Sequence, residues 1–250
     1  MSNTSIVERV KSIFRTDPHF RKLKTLIDNL NRINFSQYEI IFRHLNSRQI
    51  KTITDVGANV GQFGIDMRSC GFNGKIYSFE PVTEFYNNLQ KLCARDGHWS
   101  AYKMGLGSEV GFSNINVSKN AGLSSSILQM SISHESQFPD SITNYTERIE
   151  ISTLDVQLDK LGISSSDCLL KIDVQGYEYE VLMGALSNLP KIPLVLVEIS
   201  VLPLYIGEKN INTLLEVLSQ VNHYVIDIYR GIETREGDLL QVDVLTALRK

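Results

Sequence analysis

Asp55-Val56-Gly57-Ala58-Asn59-Val60-Gly61 is the stretch on which the fold turns. It directly follows a β-branched run at 51–56 that reads as a strand, and it opens a helical pattern at 61–70. Gly57 and Gly61 let the backbone turn tightly and let a ligand approach without a Cβ in the way. Asn59 stands where a third glycine is common, and asparagine is among the few side chains that tolerate a left-handed backbone. The pattern is not Gly-x-Gly-x-x-Gly, because the middle glycine of a pyrophosphate-binding turn is missing. An acidic residue two positions before the first glycine suits instead a ligand bearing an ammonium or a cationic sulfur. The plain alternative is a tight strand–helix turn that holds nothing.

Downstream, 75–79 reads as a second strand, and Glu80 ends it. A carboxylate there can accept two hydrogen bonds from a ribose diol, and it rejects a 2′-phosphate. Alone, Glu80 would pass for a solvated strand-end charge. Together with the glycine bend it points to an adenosine-containing cofactor, either S-adenosylmethionine or NAD. A helix carrying Phe85, Leu89 and Leu92 stops near Asp96-Gly97, and 100–104 reads as a third strand. Further strands are expected at 169–174, 194–199, 224–229 and 242–248, with helices at 177–188 and 212–221. Strands alternating with helices imply an α/β, doubly wound, mostly parallel sheet with ligand sites at the carboxyl ends of its strands. The span 105–149, rich in Ser, Asn and Gly, breaks the rhythm and reads as an excursion of short strands and loops.

Upstream, apolar stripes at 6–14 and 20–30, a first-turn Pro18 and a capping box at Ser36-Gln37-Tyr38-Glu39 read as helices. The expected organisation is therefore an N-terminal helical extension over 1–49 and one catalytic-type domain over 50–250. That extension is also a surface on which two subunits could pair, so a homodimer is among the expectations.

Leu170-Lys171-Ile172-Asp173-Val174-Gln175-Gly176-Tyr177-Glu178 is the second informative stretch. Asp173 closes a central strand before a glycine turn, which puts its carboxylate in the crevice facing the first bend. There it can orient a cationic ligand or take a proton from a substrate hydroxyl. Glu178 opens the next helix and Glu198 ends the following strand, so both are further candidates for that proton. A helix-end charge is the plain reading of Glu178. His134, in the excursion, could serve as a base on a covering loop, although an exposed histidine is the commoner meaning. No nucleophile–His–acid arrangement and no His/Cys cluster with metal-ligand spacing occurs, so no metal is required.

Composition excludes several classes. In 250 residues, Lys+Arg 25 against Asp+Glu 28 leaves a net charge of -3, with no global drive toward nucleic acid or an anionic membrane. Cys70, Cys93 and Cys168 are odd in number and far apart, which suits a reducing, cytoplasmic setting. The opening residues have no uninterrupted apolar stretch for a secretory signal. The most apolar segment, 192–206, is interrupted by Pro193, Glu198 and Pro203 and is too short to span a bilayer.

TDVGANVGQFG, YSFEP, STLD and LLKIDVQGYEYEVLMGA, in that order, resemble the FkbM-type S-adenosylmethionine-dependent methyltransferases, a class I family. The likeness runs from about Ile50 to about Glu198 and implies a Rossmann-like, seven-stranded sheet whose last strand is inserted antiparallel. It also implies O-methylation of a hydroxyl on a small molecule, sugar or natural product. On that likeness Asp55, Gly57, Asn59 and Gly61 hold the methionine part of the cofactor, beside which the strand-end position already places Asp173. Glu80 holds the ribose, and Met104 and Gly105 flank the adenine. The family often carries Glu where this chain has Gln175. A nicotinamide-dependent oxidoreductase, or a cofactor-binding protein of this fold without catalysis, are the alternatives.

Overall fold

The computed structural model describes residues 36–131, 141–234 and 237–249. The two N-terminal stripes and His134 lie outside them. By its internal contacts the chain divides into Met1–Ile41 and Phe42–Lys250. Helix α1, Gln37–Ser47, opens with the expected capping box: Ser36 N–H donates to Glu39 Oε2 at 2.9 Å, and Glu39 N–H donates to Ser36 Oγ at 3.3 Å.

The second unit is built on a seven-stranded sheet. Its strands are β1 (Thr52–Val56), β2 (Lys75–Phe79), β3 (Trp99–Tyr102), β7 (Cys168–Ile172), β8 (Leu194–Ser200), β9 (His223–Arg230) and β10 (Gln241–Leu248), in the order β3-β2-β1-β7-β8-β10-β9. The first five are mutually parallel, and β10 runs antiparallel between β8 and β9. This is the inserted last strand that the resemblance implies. β1 and β7 are buried at every position, as strands covered on both faces must be. The chain leaves β1 toward β2 on one side and returns through β7 on the other. That reversal opens a crevice beyond their carboxyl ends.

Helices α2 (Gln62–Ser69) and α3 (Thr83–Cys93) follow β1 and β2. Helices α4 (Leu154–Leu161), α5 (Glu178–Met183) and α6 (Ile211–Gln220) follow the later strands. Leu158, Leu182, Leu214 and Leu218 from the last three share one buried core with Val56, Leu170, Ile172, Val195, Val197 and Val244 of the sheet. α4 is the crossover helix into β7. Thr153 caps it by accepting from Val156 N–H, and Gly162 stops it in the left-handed conformation.

The excursion forms a second, three-stranded sheet ordered β4-β6-β5, from Gly105–Leu106, Gly111–Ser118 and Thr143–Ser152 in chain order. Its long members β5 and β6 pair antiparallel.

The third strand and helix α5 end earlier than the sequence pattern. The third strand ends at Tyr102, where Met104 N–H turns back to the Tyr102 carbonyl and Gly105 starts β4. Helix α5 stops at Met183 instead of reaching Asn188. A Cβ on Gly184 would lie 2.0 Å from the Gly107 carbonyl oxygen, and the Asp155 carboxylate captures Ser187 N–H, Asn188 N–H and the Asn188 amide. Those bonds replace the next helical turn. Among the described residues no helix is long and apolar enough to cross a membrane.

Candidate functional site

The bend between β1 and α2 is left-handed at three positions: Gly57 at φ +78°, Asn59 at +48° and Gly61 at +92°. Gly57 is required on a second ground, since a Cβ there would lie 1.8 Å from the Asp173 carbonyl oxygen. Asn59 stabilises its own turn by accepting from Val60 N–H at 2.7 Å, and its amide donates to the Ala121 carbonyl at 3.3 Å. Gly57 and Ala58 both donate to the Phe79 carbonyl, so the bend is tied to the end of β2. Glu80 follows directly. Its Oε2 accepts from Asn59 N–H and its Oε1 from Val82 N–H, each at 2.8 Å. Burial lifts this carboxyl to about 7, against the pull of those two N–H groups. The structure thus brings Glu80 onto the bend.

Asp55 is wholly enclosed, at 0% exposure. Ser78 Oγ, itself accepting from Trp99 Nε1–H, donates to Asp55 Oδ2 at 3.1 Å. Lys171 Nζ stands 3.3 Å from Asp55 Oδ1, 3.3 Å from Asp173 Oδ2 and 3.3 Å from the Gly57 carbonyl, to which it donates. One buried ammonium therefore joins both carboxylates to the backbone of the bend. Burial opposes its charge, but Asp173 and Asp55 outweigh that and raise its pKa. Sequence reasoning quoted Lys171 without giving it a part. The signal was available: a lone cation in the apolar strand CLLKI requires a partner.

Asp173 keeps 34% of its side chain exposed, whereas Asp55, Glu80 and Glu178 are buried. Its Oδ1 accepts from Gln175 Nε2 at 2.8 Å, and the same nitrogen donates to Glu198 Oε2. Gln241 Nε2 donates to that Glu198 oxygen at 3.0 Å. Glu198 on β8 lies directly opposite Asp243 on β10. Burial, then the charges of Asp173, Asp243 and Glu178, push the Glu198 carboxyl well above the usual range. Burial also lifts Asp243 to about 6. Neither Gln175 nor Gln241 carries an obvious local signature.

Glu178 is buried, and its Oε1 accepts from Val174 N–H and Gly176 N–H, each at 3.1 Å. Its carboxyl closes the turn that carries Asp173, and burial lifts it to about 7. Met104 is partly buried against the core that contains Phe79. At Gly105 a Cβ would lie 2.8 Å from Ile151 Cδ1, so tight packing within the small sheet accounts for that glycine. The carboxyl ends of β1, β2 and β7 therefore assemble Gly57, Asn59, Glu80 and Asp173 in one place. Asp55 sits beneath them and Glu198 beside them.

A family described as methyltransferase FkbM domain matches residues 55–225. No curated protein matches the chain. Solved structures with likeness to it include a TehB-like SAM-dependent methyltransferase from Corynebacterium glutamicum, 10% identical over 92% of this chain and 98% of that one, with a TM-score of 0.42. Another is precorrin-6y C5,15-methyltransferase from Geobacter metallireducens, 10% identical over 85% and 87%, TM-score 0.43. A third is Aeropyrum pernix fibrillarin with natively bound S-adenosyl-L-methionine, 11% identical over 79% and 66%, TM-score 0.42.

Proposed function

Because the chain belongs to the FkbM methyltransferase family, we propose that it moves a methyl group from S-adenosylmethionine to a hydroxyl of a small molecule or saccharide, with Asp173 taking the hydroxyl proton. The family assignment selects this methyl donor over NAD. The residues present fit it. A carboxylate at the end of β2 suits a ribose diol and Asp173 suits a cationic sulfur, while Gly57 and Gly61 let the bend between them pack against β7 and α3. When bound, the donor supplies an electrophilic methyl already activated by that sulfur.

The protein's share is positioning and proton handling. Holding an acceptor oxygen in line with the methyl is worth roughly 7–11 kcal/mol in a bimolecular step. A carboxylate accepting the hydroxyl proton adds on the order of 10²–10⁴-fold. The observation that carries the choice of Asp173 is its partial exposure at the carboxyl end of β7. Glu178 is committed to two backbone N–H groups. Glu198 Oε2 already accepts from Gln175 and Gln241, and burial and then its neighbours' charges push its carboxyl well above the usual range; it serves as a partner of Asp173. Asp55 acts on the methionine end through Lys171 and the Gly57 carbonyl, not by open contact.

Met104 and Gly105 are assigned to the adenine side because they follow β3, next to β2. The small sheet beyond Gly105 and the segment after Glu198 are assigned to the acceptor, since specificity resides on loops carried by a rigid scaffold. The odd number and wide spacing of Cys70, Cys93 and Cys168 support a cytoplasmic setting.

The test is calorimetric titration with S-adenosylmethionine, S-adenosylhomocysteine and NAD, followed by a panel of sugars, phenols and other alcohols with labelled donor. Binding of the first two and not the third, with label reaching an oxygen, is the expected outcome. Binding of NAD alone, or label on nitrogen, overturns it.

A further inference from the structure

Gln175 holds φ at +59°, a conformation that side chains other than Asn, Asp and Gly rarely adopt and that marks a site held by its surroundings. Its amide is fully engaged. Nε2 donates to Asp173 Oδ1 at the end of β7 and to Glu198 Oε2 on β8, while Oε1 accepts from the Tyr205 hydroxyl at 2.9 Å. Its main-chain carbonyl accepts from Ser126 Oγ at 2.6 Å.

Ser126 and Tyr205 belong to two segments that are zipped together. Ser131 N–H donates to the Leu204 carbonyl and Ile206 N–H to the Gln129 carbonyl, on either side of a Met130–Tyr205 bridge. The single Tyr205 hydroxyl proton is shared between Gln175 Oε1 and, at 3.2 Å, the Ser124 carbonyl. The two segments form one cover, and it meets the carboxylate pair at Gln175.

We propose that Gln175 is a positioning residue: its amide fixes the Asp173 and Glu198 carboxyls in one geometry and ties that geometry to the cover formed by Ser124–Ser126 and Tyr205. The inference rests on the reading of Asp173 as proton acceptor. In this chain an amide meets the need, at a position where the family often carries Glu. Two carboxylates ask for donors and a phenol asks for an acceptor, and one glutamine side chain offers both. A glutamate there would offer no donor and would add a third carboxylate. The charged and titratable groups facing the pair are Lys171 on β7, Asp55 on β1, Asp243 on β10, Glu178 on α5 and Tyr205 on the cover.

The experiment follows side-chain carboxyl carbons and backbone amide exchange by NMR in the full chain without cofactor. Gln175→Gly relieves the left-handed backbone and deletes the amide. The Asp173 titration midpoint is expected to rise by about half a pH unit or more, because its charged form loses a donor. Amide exchange at 126–131 and 204–206 is expected to quicken about tenfold. Gln175→Glu should raise the Asp173 midpoint further. Tyr205→Phe should quicken exchange in the cover while leaving that midpoint in place.

If Gln175 merely shapes the turn, Gln175→Gly will leave both the midpoint and the exchange unchanged and will raise the melting temperature. That result overturns the proposal. Should the glycine variant fail to fold, an unmoved Asp173 midpoint in Gln175→Glu overturns it equally. Neither readout uses the methyl donor, so a negative result here is distinguishable from a failure to bind S-adenosylmethionine.

Discussion

At the level of single residues, the carboxyl groups of the crevice have separable tasks. Asp173→Asn keeps the hydrogen-bonding shape and removes the proton acceptor. Methyl transfer should fall on the order of 10²–10⁴-fold while the affinity for S-adenosylhomocysteine changes little. Equal losses in both would make Asp173 a binding residue. Glu80 makes a different prediction. Its carboxyl sits at about 7, and a ribose diol donating to it favours the charged form. Binding then expels a proton, so affinity for S-adenosylhomocysteine should rise about tenfold from pH 6 to pH 8 and level off above. Calorimetry in two buffers of different ionisation enthalpy reads that proton, and Glu80→Gln should abolish the effect.

Much of this was legible in the sequence. The glycine bend, Glu80 and Asp173 announce themselves because each sits at a strand end beside a residue with a special backbone. Gln175 and Gln241 do not, since what defines them is a partner distant in the chain, Glu198; Lys171 shows that it needs a partner but not that Asp55 is one.

At the level of elements, helix α5 shows how tertiary contact overrides a local pattern. The apolar periodicity of VLMGALSNL favours a longer helix, yet Gly184 packs on Gly107 and Asp155 takes over the following N–H groups. Asp155→Ala removes the acceptor of Ser187 N–H and of the Asn188 side-chain amide, while Asn188 N–H keeps the Ala185 carbonyl, and should cost about 1 kcal/mol. A urea titration would show a lower midpoint with an unchanged slope, and binding of S-adenosylhomocysteine should be unaffected. The crossover helix α4 has its own cap and stop, Thr153 and Gly162. Its brevity and its place beside an irregular span hid it from pattern reading. The β5–β6 pairing was hidden for a similar reason: much of β6 is exposed, so its sequence lacks a sustained alternation.

For the whole molecule, buried acids couple folding to pH. The Glu178 carboxyl sits at about 7 when folded, against 4.5 when free. The folded chain therefore binds this proton more tightly, and the group's contribution to stability is full below about pH 4.5 and lost as pH rises through 7. His44 and His223, both lowered by burial, slope the other way, so the raw curve mixes opposing trends. The difference between wild type and Glu178→Gln isolates one group. The variant should gain on wild type by on the order of 3 kcal/mol between pH 4.5 and 8, read from denaturation midpoints. A constant difference across that range would contradict the burial of this carboxyl.

The antiparallel placement of β10 carries a consequence for synthesis on the ribosome. β8 and β9 each need β10 beside them, yet β10 is translated after both. The nascent chain must therefore hold the bare, apolar flank of β8 in waiting, a template for mispairing with other chains. A ribosome stalled before Gln241 would display an incomplete sheet of this kind, and chaperone crosslinks should concentrate there.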